Sequence, residues 1–202
     1  MIKKDENFTT IDAGERYIIK DQESGSKGIM PILVDTGYKV EIIKLDKGIL
    51  CNEKENERAC DFMLIAKDGS CKIVCMTEIK GTDNEKEIAH AYNQISQSIN
   101  RIPNNYLAGS DISMAAIVGA QDKTLPRMIN HEKKDLCKAL FSKTKNKQKV
   151  KNMDNLVFYV QPNNAIKRAY VNINKTPYVI ECHSKKGAEI PFPSMPLGLV
   201  QQ

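Results

Sequence analysis

A chain of 202 residues with 41% apolar and 27% charged side chains is long enough for one globular domain with a sizeable core. No apolar run approaches the roughly 20 residues that would span a bilayer, so a membrane protein is not indicated. The basic N-terminus leads into no apolar segment, the six cysteines form no Cys-x-x-Cys pair and the three histidines have no ligand spacing. We therefore expect a cytoplasmic protein with reduced thiols and no zinc site.

Residues 1–37 form an N-terminal segment whose structure the sequence leaves open. A short strand or turn of helix is predicted around Tyr17–Ile19, and a strand interrupted by Pro31 is predicted over Ile29–Val34. Between them, Ser24–Gly28 has the composition of a flexible loop. No clear helical pattern precedes Tyr38.

The core of the chain begins with three predicted strands. The first, Tyr38–Leu45, alternates apolar and polar residues, and a polar loop follows it. The second and third are apolar runs, Cys60–Ile65 and the run ending at Lys80, separated by Asp68-Gly69. An Asp-Gly pair between apolar runs predicts a hairpin with a type I′ turn, in which both central residues have positive φ.

Three charged side chains are predicted to meet at one end of this hairpin. Because side chains alternate across a strand, Glu78 and Lys80 share one face. Asp61 opens the partner strand, and the fold of the hairpin brings it opposite the end of the third strand. The sequence therefore places two carboxylates and one ammonium group together.

Such a group favours a hard cation such as Mg²⁺, since neighbouring carboxylates repel each other unless a positive charge lies between them. Asp61 and Glu78 are the expected ligands, with the backbone carbonyl of Ile79 as a third. Lys80 is then placed to orient a water molecule or to stabilise charge on a phosphoryl group in the transition state. The alternative interpretation is an ordinary salt bridge of exposed charges at the strand ends.

A helix is predicted next, from a capping box at Thr82–Glu85 to Pro103. Isoleucine and tyrosine side chains at spacings of three and four form an apolar stripe that would pack on the sheet. Gln94 lies in a second row beside this stripe, which makes it a candidate to contact a metal-bound water or a scissile phosphate. The alternative for Gln94 is a solvated position.

The almost wholly apolar run Ile112–Gly119 predicts a strand buried on both faces. A strand, a helix and a further buried strand form a right-handed parallel crossover. The predicted order is strand, strand, strand, helix, strand, which indicates an α/β fold.

This order resembles the PD-(D/E)XK nuclease superfamily, also called restriction-endonuclease-like, over Tyr38–Gly119. An acid, Asp61, opens the second strand, and Glu-x-Lys (Glu78, Lys80) closes the third. The resemblance implies an αβββαβ core with a mixed central sheet flanked by helices. It also implies that Asp61 and Glu78 bind metal, that Lys80 is the catalytic lysine and that Gln94 is the helix glutamine of some branches. More narrowly, the motifs are similar to those of small uncharacterised bacterial members.

The function expected from this resemblance is a Mg²⁺-dependent nuclease, with Mn²⁺ able to substitute. DNA is the expected substrate before RNA, in a bacterial defence, repair or mobile-element context. The alternative is a catalytically silent protein of the same fold that binds nucleic acid or a protein partner. Retention of the three charged residues favours the enzyme, because a pure binder has no physical need to hold like charges together.

A basic run follows the predicted core strands. A helix is predicted from about Leu125 to Phe141, and residues 123–151 contain nine lysines and one arginine against two acids, a local charge of +8. The alternating lysines at its end are candidate phosphate contacts: Lys143, Lys145, Lys147, Lys149 and Lys151. The alternative is a solvated loop.

The last fifty residues add predicted strands. Leu156–Val160 is expected to join the sheet beside Ile112–Gly119, and Tyr170–Ile173 with Tyr178–Cys182 is expected to form a hairpin. The proline-spaced tail from Ile190 is expected to be extended, and to pack on the protein's own surface or on a partner chain, so a homodimer is one expectation. The predicted organisation is an N-terminal segment (1–37), a nuclease-like core (38–160), and C-terminal strands with the tail packed on the core (161–202).

Overall fold

The computed structural model describes residues 3–4, 6–22, 26, 28–50, 58–80, 85–107, 110–119, 157–161, 180–183 and 189–194. Within these residues the strands are β1 (Lys3–Lys4), β2 (Phe8–Ile11), β3 (Arg16–Lys20), β4 (Ile29–Val34), β5 (Lys39–Lys44), β6 (Phe62–Lys67), β7 (Lys72–Lys80), β8 (Ile112–Gly119), β9 (Val157–Gln161), β10 (Ile180–His183) and β11 (Ile190–Phe192). The helices are α1 (Glu85–Arg101) and α2 (Asn104–Leu107).

The main sheet has eight strands in the order β1-β2-β5-β6-β7-β8-β9-β10. Neighbours from β1 to β7 are antiparallel, and neighbours from β7 to β10 are parallel. The fold is therefore mixed α/β, as the sequence indicated. The expected strand after residue 155 is confirmed, since β9 pairs with β8.

Helix α1 covers one face of the main sheet. Its apolar stripe, including Tyr92, Ile95 and Ile99, is buried against the residues of β6, β7 and β8 that point to this face, such as Met76. Because α1 connects β7 to the parallel strand β8, it is the crossover helix that the sequence predicted. The expected ending is confirmed too, as α1 stops at Arg101, two residues before Pro103.

A second sheet, in the order β11-β4-β3, covers the opposite face. Its side chains, among them Ile19, Ile32 and Phe192, are buried with Cys75 and Ile79, which alternate on β7 with the residues that face α1. The described residues therefore form three layers: a helix, the main sheet and a small sheet.

This small sheet departs from the expected architecture in two ways. The expected core has a central sheet flanked by helices, whereas among the described residues strands cover the face away from α1. The resemblance also implied a helix ahead of the core strands, where the sequence shows no helical pattern, and the described residues before Lys39 form strands β1 to β4. The physical reason is visible in β3, where Tyr17 and Ile19 are partly or fully buried and alternate with exposed neighbours, the period of a strand and not of a helix.

The hairpin of β6 and β7 is confirmed, but its turn is not type I′. Neither Asp68 nor Gly69 has a positive φ. Instead, Oδ1 of Asp68 accepts hydrogen bonds from the backbone N–H groups of Ser70 (2.8 Å) and Cys71 (2.6 Å). The aspartate side chain thus satisfies the turn amides, and a four-residue loop replaces the two-residue turn.

Several expected features lie outside the described residues. These are the polar loop before residue 58, the cap of α1 at residues 82–84, the helix at 125–141 and the strand at 170–173. The last strand of the expected C-terminal pair is described as β10, which pairs in parallel with β9.

Candidate active site

The register of β6 and β7 places Asp61 beside Glu78. Phe62 pairs with Thr77, so the residue before Phe62 lies next to the residue after Thr77. The backbone N–H of Asp61 donates to Oε2 of Glu78 (3.0 Å), and the backbone N–H of Ile79 donates to Oδ2 of Asp61 (2.8 Å). The two acids are therefore held together by reciprocal bonds between side chain and backbone.

Lys80 completes the group predicted from the sequence. Its Nζ lies 2.7 Å from Oε1 of Glu78, donates to Oε1 of Gln94 at 2.8 Å and lies 3.9 Å from Oε2 of Glu87. The side chain of Glu78 is 2% exposed and that of Lys80 is 15% exposed. The alternative of an exposed surface salt bridge is therefore wrong, because the ion pair is buried.

Helix α1 fixes the chain that leads into Asp61. Nε2 of Gln94 donates to the carbonyl oxygen of Ala59 (3.2 Å), and the backbone N–H of Cys60 donates to Oγ of Ser98 (2.8 Å). Oγ of Ser98 in turn donates to the carbonyl oxygen of Gln94 (2.8 Å). Gln94 is thus a half-buried bridge between Lys80 and this segment, with both ends of its amide group hydrogen-bonded to the protein.

Burial dominates the electrostatics of the site. It raises the pKa of Asp61 above the usual carboxyl range, against the lowering effect of the hydrogen bond from Ile79. It also raises the pKa of Glu78, and the nearby charge of Asp61 adds to this increase. Burial alone would lower the pKa of Lys80, but the ion pair with Glu78 outweighs it and raises the pKa. The site therefore favours additional positive charge.

Residues from distant parts of the chain also reach the site, and sequence reasoning missed them. Nε2 of Gln22 donates to the carbonyl oxygen of Asp61 (3.3 Å), and its Oε1 is buried without a hydrogen-bond partner among the described residues. The charges of Asp21 and Asp46 both raise the pKa of Asp61. No local signal marks these residues, because long-range strand packing brings them here.

The oxygen atoms of Asp61, Glu78 and Ile79 could supply some, but not all, of the ligands that a divalent cation needs. Oδ1 of Asp61 has no hydrogen bond within the described part of the chain, and a carboxylate oxygen such as Oε2 of Glu78 can accept a second partner. The carbonyl of Ile79 points to the same side as its N–H, which bonds to Asp61. In the described residues, no group of three or more histidine, cysteine or acidic side chains is arranged to hold a metal.

Gln94 also lines a polar cavity of about 220 Å³. Arg58, His90, Asn93 and Gln97 line the rest of it. A cationic and an amide-rich lining is suited to phosphate oxygens, which accept hydrogen bonds from both groups.

The second group of predicted site residues, the lysines from 143 to 151, lies outside the described residues. Among the helices that the structure describes, none is sufficiently long and apolar to cross a membrane. Comparisons with family models, with curated proteins and with solved structures find no match for this chain. The functional argument therefore depends on the geometry around Asp61, Glu78 and Lys80.

Proposed function

We propose that this protein is a metal-dependent phosphodiesterase that cleaves nucleic acid, with DNA as the expected substrate and Mg²⁺ or Mn²⁺ as the cofactor. The strands β5, β6 and β7, the helix α1 and the strand β8 would then form a PD-(D/E)XK-type core. In this chain the N-terminal strands and the tail would replace the helices of the outer layer.

One observation supports this proposal above the others. Two carboxylates and one ammonium group, all at least partly buried, converge at one end of β6 and β7, and Glu78 is only 2% exposed. Burying charges together is expensive, and replacement by apolar residues of similar size is often neutral or stabilising. A chemical role explains the arrangement better than a structural one.

Asp61, Glu78 and the carbonyl of Ile79 would hold the cation. When bound, a divalent cation neutralises charge on a phosphoryl group and lowers the pKa of a coordinated water. Because the pKa values of Asp61 and Glu78 are raised, these carboxyls hold protons more readily than ordinary acids, and a bound cation would displace any proton that they hold. The chain supplies the ligands and keeps them within one hydrogen-bonded frame.

Lys80 is placed to act on the reacting phosphate. Its ammonium group remains charged at neutral pH, since the pKa is raised. Gln94 holds it from the helix side at 2.8 Å, which restricts its rotation and fixes the direction of its remaining donors. A preorganised cation of this kind stabilises the charge that develops in phosphoryl transfer.

A catalytically silent nucleic-acid binder is the second candidate, and one contact favours it. Both carboxylate oxygens of Glu78 already accept hydrogen bonds, one from Lys80 and one from the backbone of Asp61. In this interpretation the ion pair between Glu78 and Lys80 leaves no carboxylate oxygen of Glu78 for a cation, and the sheet is only a scaffold for nucleic-acid binding. Cleavage assays distinguish the two candidates.

The test is incubation of purified protein with plasmid DNA, with single-stranded DNA and with RNA, in Mg²⁺, in Mn²⁺ and in EDTA. We expect metal-dependent cleavage that EDTA abolishes. Glu78→Gln and Lys80→Ala, purified in parallel, should lose activity by orders of magnitude. Lys72→Ala, on the same strand at its far end, is the matched control and should remain active.

Equal cleavage by the wild type and by Glu78→Gln would contradict the proposal and indicate a contaminating nuclease. Nucleic-acid binding without cleavage in any metal would instead support the silent binder.

A further inference from the structure

A groove lies between the small sheet and the antiparallel half of the main sheet. Its volume is about 450 Å³, within the roughly 300–1,000 Å³ of typical ligand sites. Its lining comes from the N-terminal residues Glu6, Asn7 and Thr9, from residues 17–20 of β3, and from Ile42, Lys44 and Phe62. β3 is the edge strand of the small sheet, so one wall of the groove has an unpaired strand edge in the described structure.

The lining combines positive charge with aromatic rings. Lys20 and Lys44 form no ion pair with any residue in the described part of the chain, and Glu6 is the acid that lines the groove with them. Tyr17 and Phe62 are half-buried, so their rings are partly accessible. Unpaired lysines beside aromatic rings are the combination by which proteins hold the phosphates and bases of single strands.

Chain connectivity joins the groove to the candidate active site. Phe62 directly follows Asp61, and Lys20 is two residues before Gln22. The side-chain amide of Gln22 donates a hydrogen bond to the carbonyl oxygen of Asp61 (3.3 Å). This bond links the segment after β3 to the segment before β6. A chain that leaves the groove at this end would reach Asp61 at the end of the main sheet, where the Asp61 side chain lies with Glu78 on the face toward α1.

The geometry points to a single-stranded nucleic-acid segment as the occupant: we propose that Lys20 and Lys44 bind its phosphates, that Tyr17 and Phe62 stack on its bases, and that the groove leads the strand to the end of the main sheet that carries Asp61. This inference rests on the proposed function and adds the substrate class. A duplex is disfavoured, because its base faces are stacked on each other and are not free to contact aromatic side chains. An exposed apolar side chain, Ile18 at 52%, extends the same surface.

The test measures binding of an oligodeoxynucleotide that contains 2-aminopurine, single-stranded or annealed to its complement, in EDTA so that no cleavage occurs. The double variant Lys20→Gln/Lys44→Gln should lower affinity for the single strand and reduce the log–log salt slope by about 1.4, or about 0.7 per phosphate contact. Tyr17→Leu keeps the apolar volume but removes stacking, so it should weaken binding by about tenfold and reduce the quenching of 2-aminopurine.

The matched control is Lys39→Gln/Lys67→Gln. It removes two lysines that are opposite each other in the register of β5 and β6, at the end far from Phe62. It should keep the wild-type affinity and salt slope. Equal behaviour of the two double variants, or wild-type affinity for the duplex equal to that for the single strand, would overturn the inference.

The outcomes separate this inference from the proposed function. If the wild type cleaves nucleic acid in a metal-dependent way and the groove variants keep its affinity, the proposed nuclease function is supported and the groove is excluded as the binding site. Loss of single-strand binding in the groove variants, with no cleavage by the wild type in any metal, would support the groove and reject the nuclease.

Discussion

The ammonium nitrogen of Lys80, on β7, lies 2.8 Å from Oε1 of Gln94, on α1. This bond crosses from the sheet to the helix, and it accompanies a second contact from the same amide group to the carbonyl oxygen of Ala59. Gln94 therefore couples the position of Lys80 to the segment that carries Asp61. Its role is positioning, since its contacts are with other site residues.

Replacement of Gln94 tests this coupling. Gln94→Ala should lower the turnover number by about tenfold or more with a small change in KM, because Lys80 loses a partner that fixes its rotamer. Steady-state cleavage kinetics provide the measurement. Asn100→Ala is the control, since Asn100 lies on the same helix and its side chain is exposed. A similar loss in both variants would mean that the effect comes from the helix as a whole.

Metal binding should depend on the charge of Asp61. Asp61→Asn keeps an oxygen that can accept the hydrogen bond from Ile79, so the fold should be retained while affinity for Mn²⁺ falls strongly. Asp61→Ala should also lose affinity, but it leaves the Ile79 N–H without this acceptor and should cost about 1–3 kcal/mol of folding free energy. Calorimetric titration with Mn²⁺ and chemical unfolding separate the two effects. Unchanged affinity in Asp61→Asn would exclude this carboxylate as a ligand.

The core of the site could be predicted because it is encoded locally. Asp61, Glu78 and Lys80 lie on one hairpin, and strand alternation with a short turn suffices to bring them together. Gln94 follows from the helical period of α1. The predicted turn type was wrong. The side chain of Asp68 accepts hydrogen bonds from the amides of the turn, and this stabilises a longer loop than the predicted two-residue turn.

The environment of the site could not be predicted, because it depends on contacts between distant segments. Gln22 reaches Asp61 only because β3 packs with β4 into the small sheet. That sheet also needs β11, whose pairing joins Ile190 to Ile32, and no local pattern specifies such a pairing. The charge of Asp21, which raises the pKa of Asp61, reaches the site through the same packing and was likewise beyond the sequence pattern.

The tail strand β11 should contribute to stability as part of the folded core. Phe192 is fully buried with residues of both sheets, and the side chain of Asp35 accepts hydrogen bonds from the backbone N–H and the hydroxyl of Ser194 (2.6 and 3.0 Å). Phe192→Ala should lower the free energy of unfolding by about 3–5 kcal/mol, through lost burial and the resulting cavity. Denaturant unfolding measures this change, and Ile18→Ala, at an exposed site, should cost much less. A loss below about 1 kcal/mol for Phe192→Ala would mean that the tail is not docked.

The stability of the metal-free protein should decrease with rising pH because of the buried acids. The pKa values of Asp61 and Glu78 are raised in the folded state, mainly by burial. The folded protein therefore holds these protons more tightly than the unfolded chain does. Their contribution to stability is fully present below the ordinary carboxyl pKa of about 4 and is lost as pH rises through the raised values.

The measurement is denaturant unfolding in EDTA at about pH 5 and about pH 8, for the wild type and for Glu78→Gln. Between these values the wild type should lose at least about 1 kcal/mol more than the variant, which has one buried acid fewer. The difference between the two proteins removes the contribution of every group that the two proteins share. Added Mn²⁺ should stabilise the wild type more at the higher pH, because the ligands must be deprotonated to bind it. Identical pH profiles for the two proteins in EDTA would mean that Glu78 is already ionised in the folded state, with Lys80 alone compensating its charge.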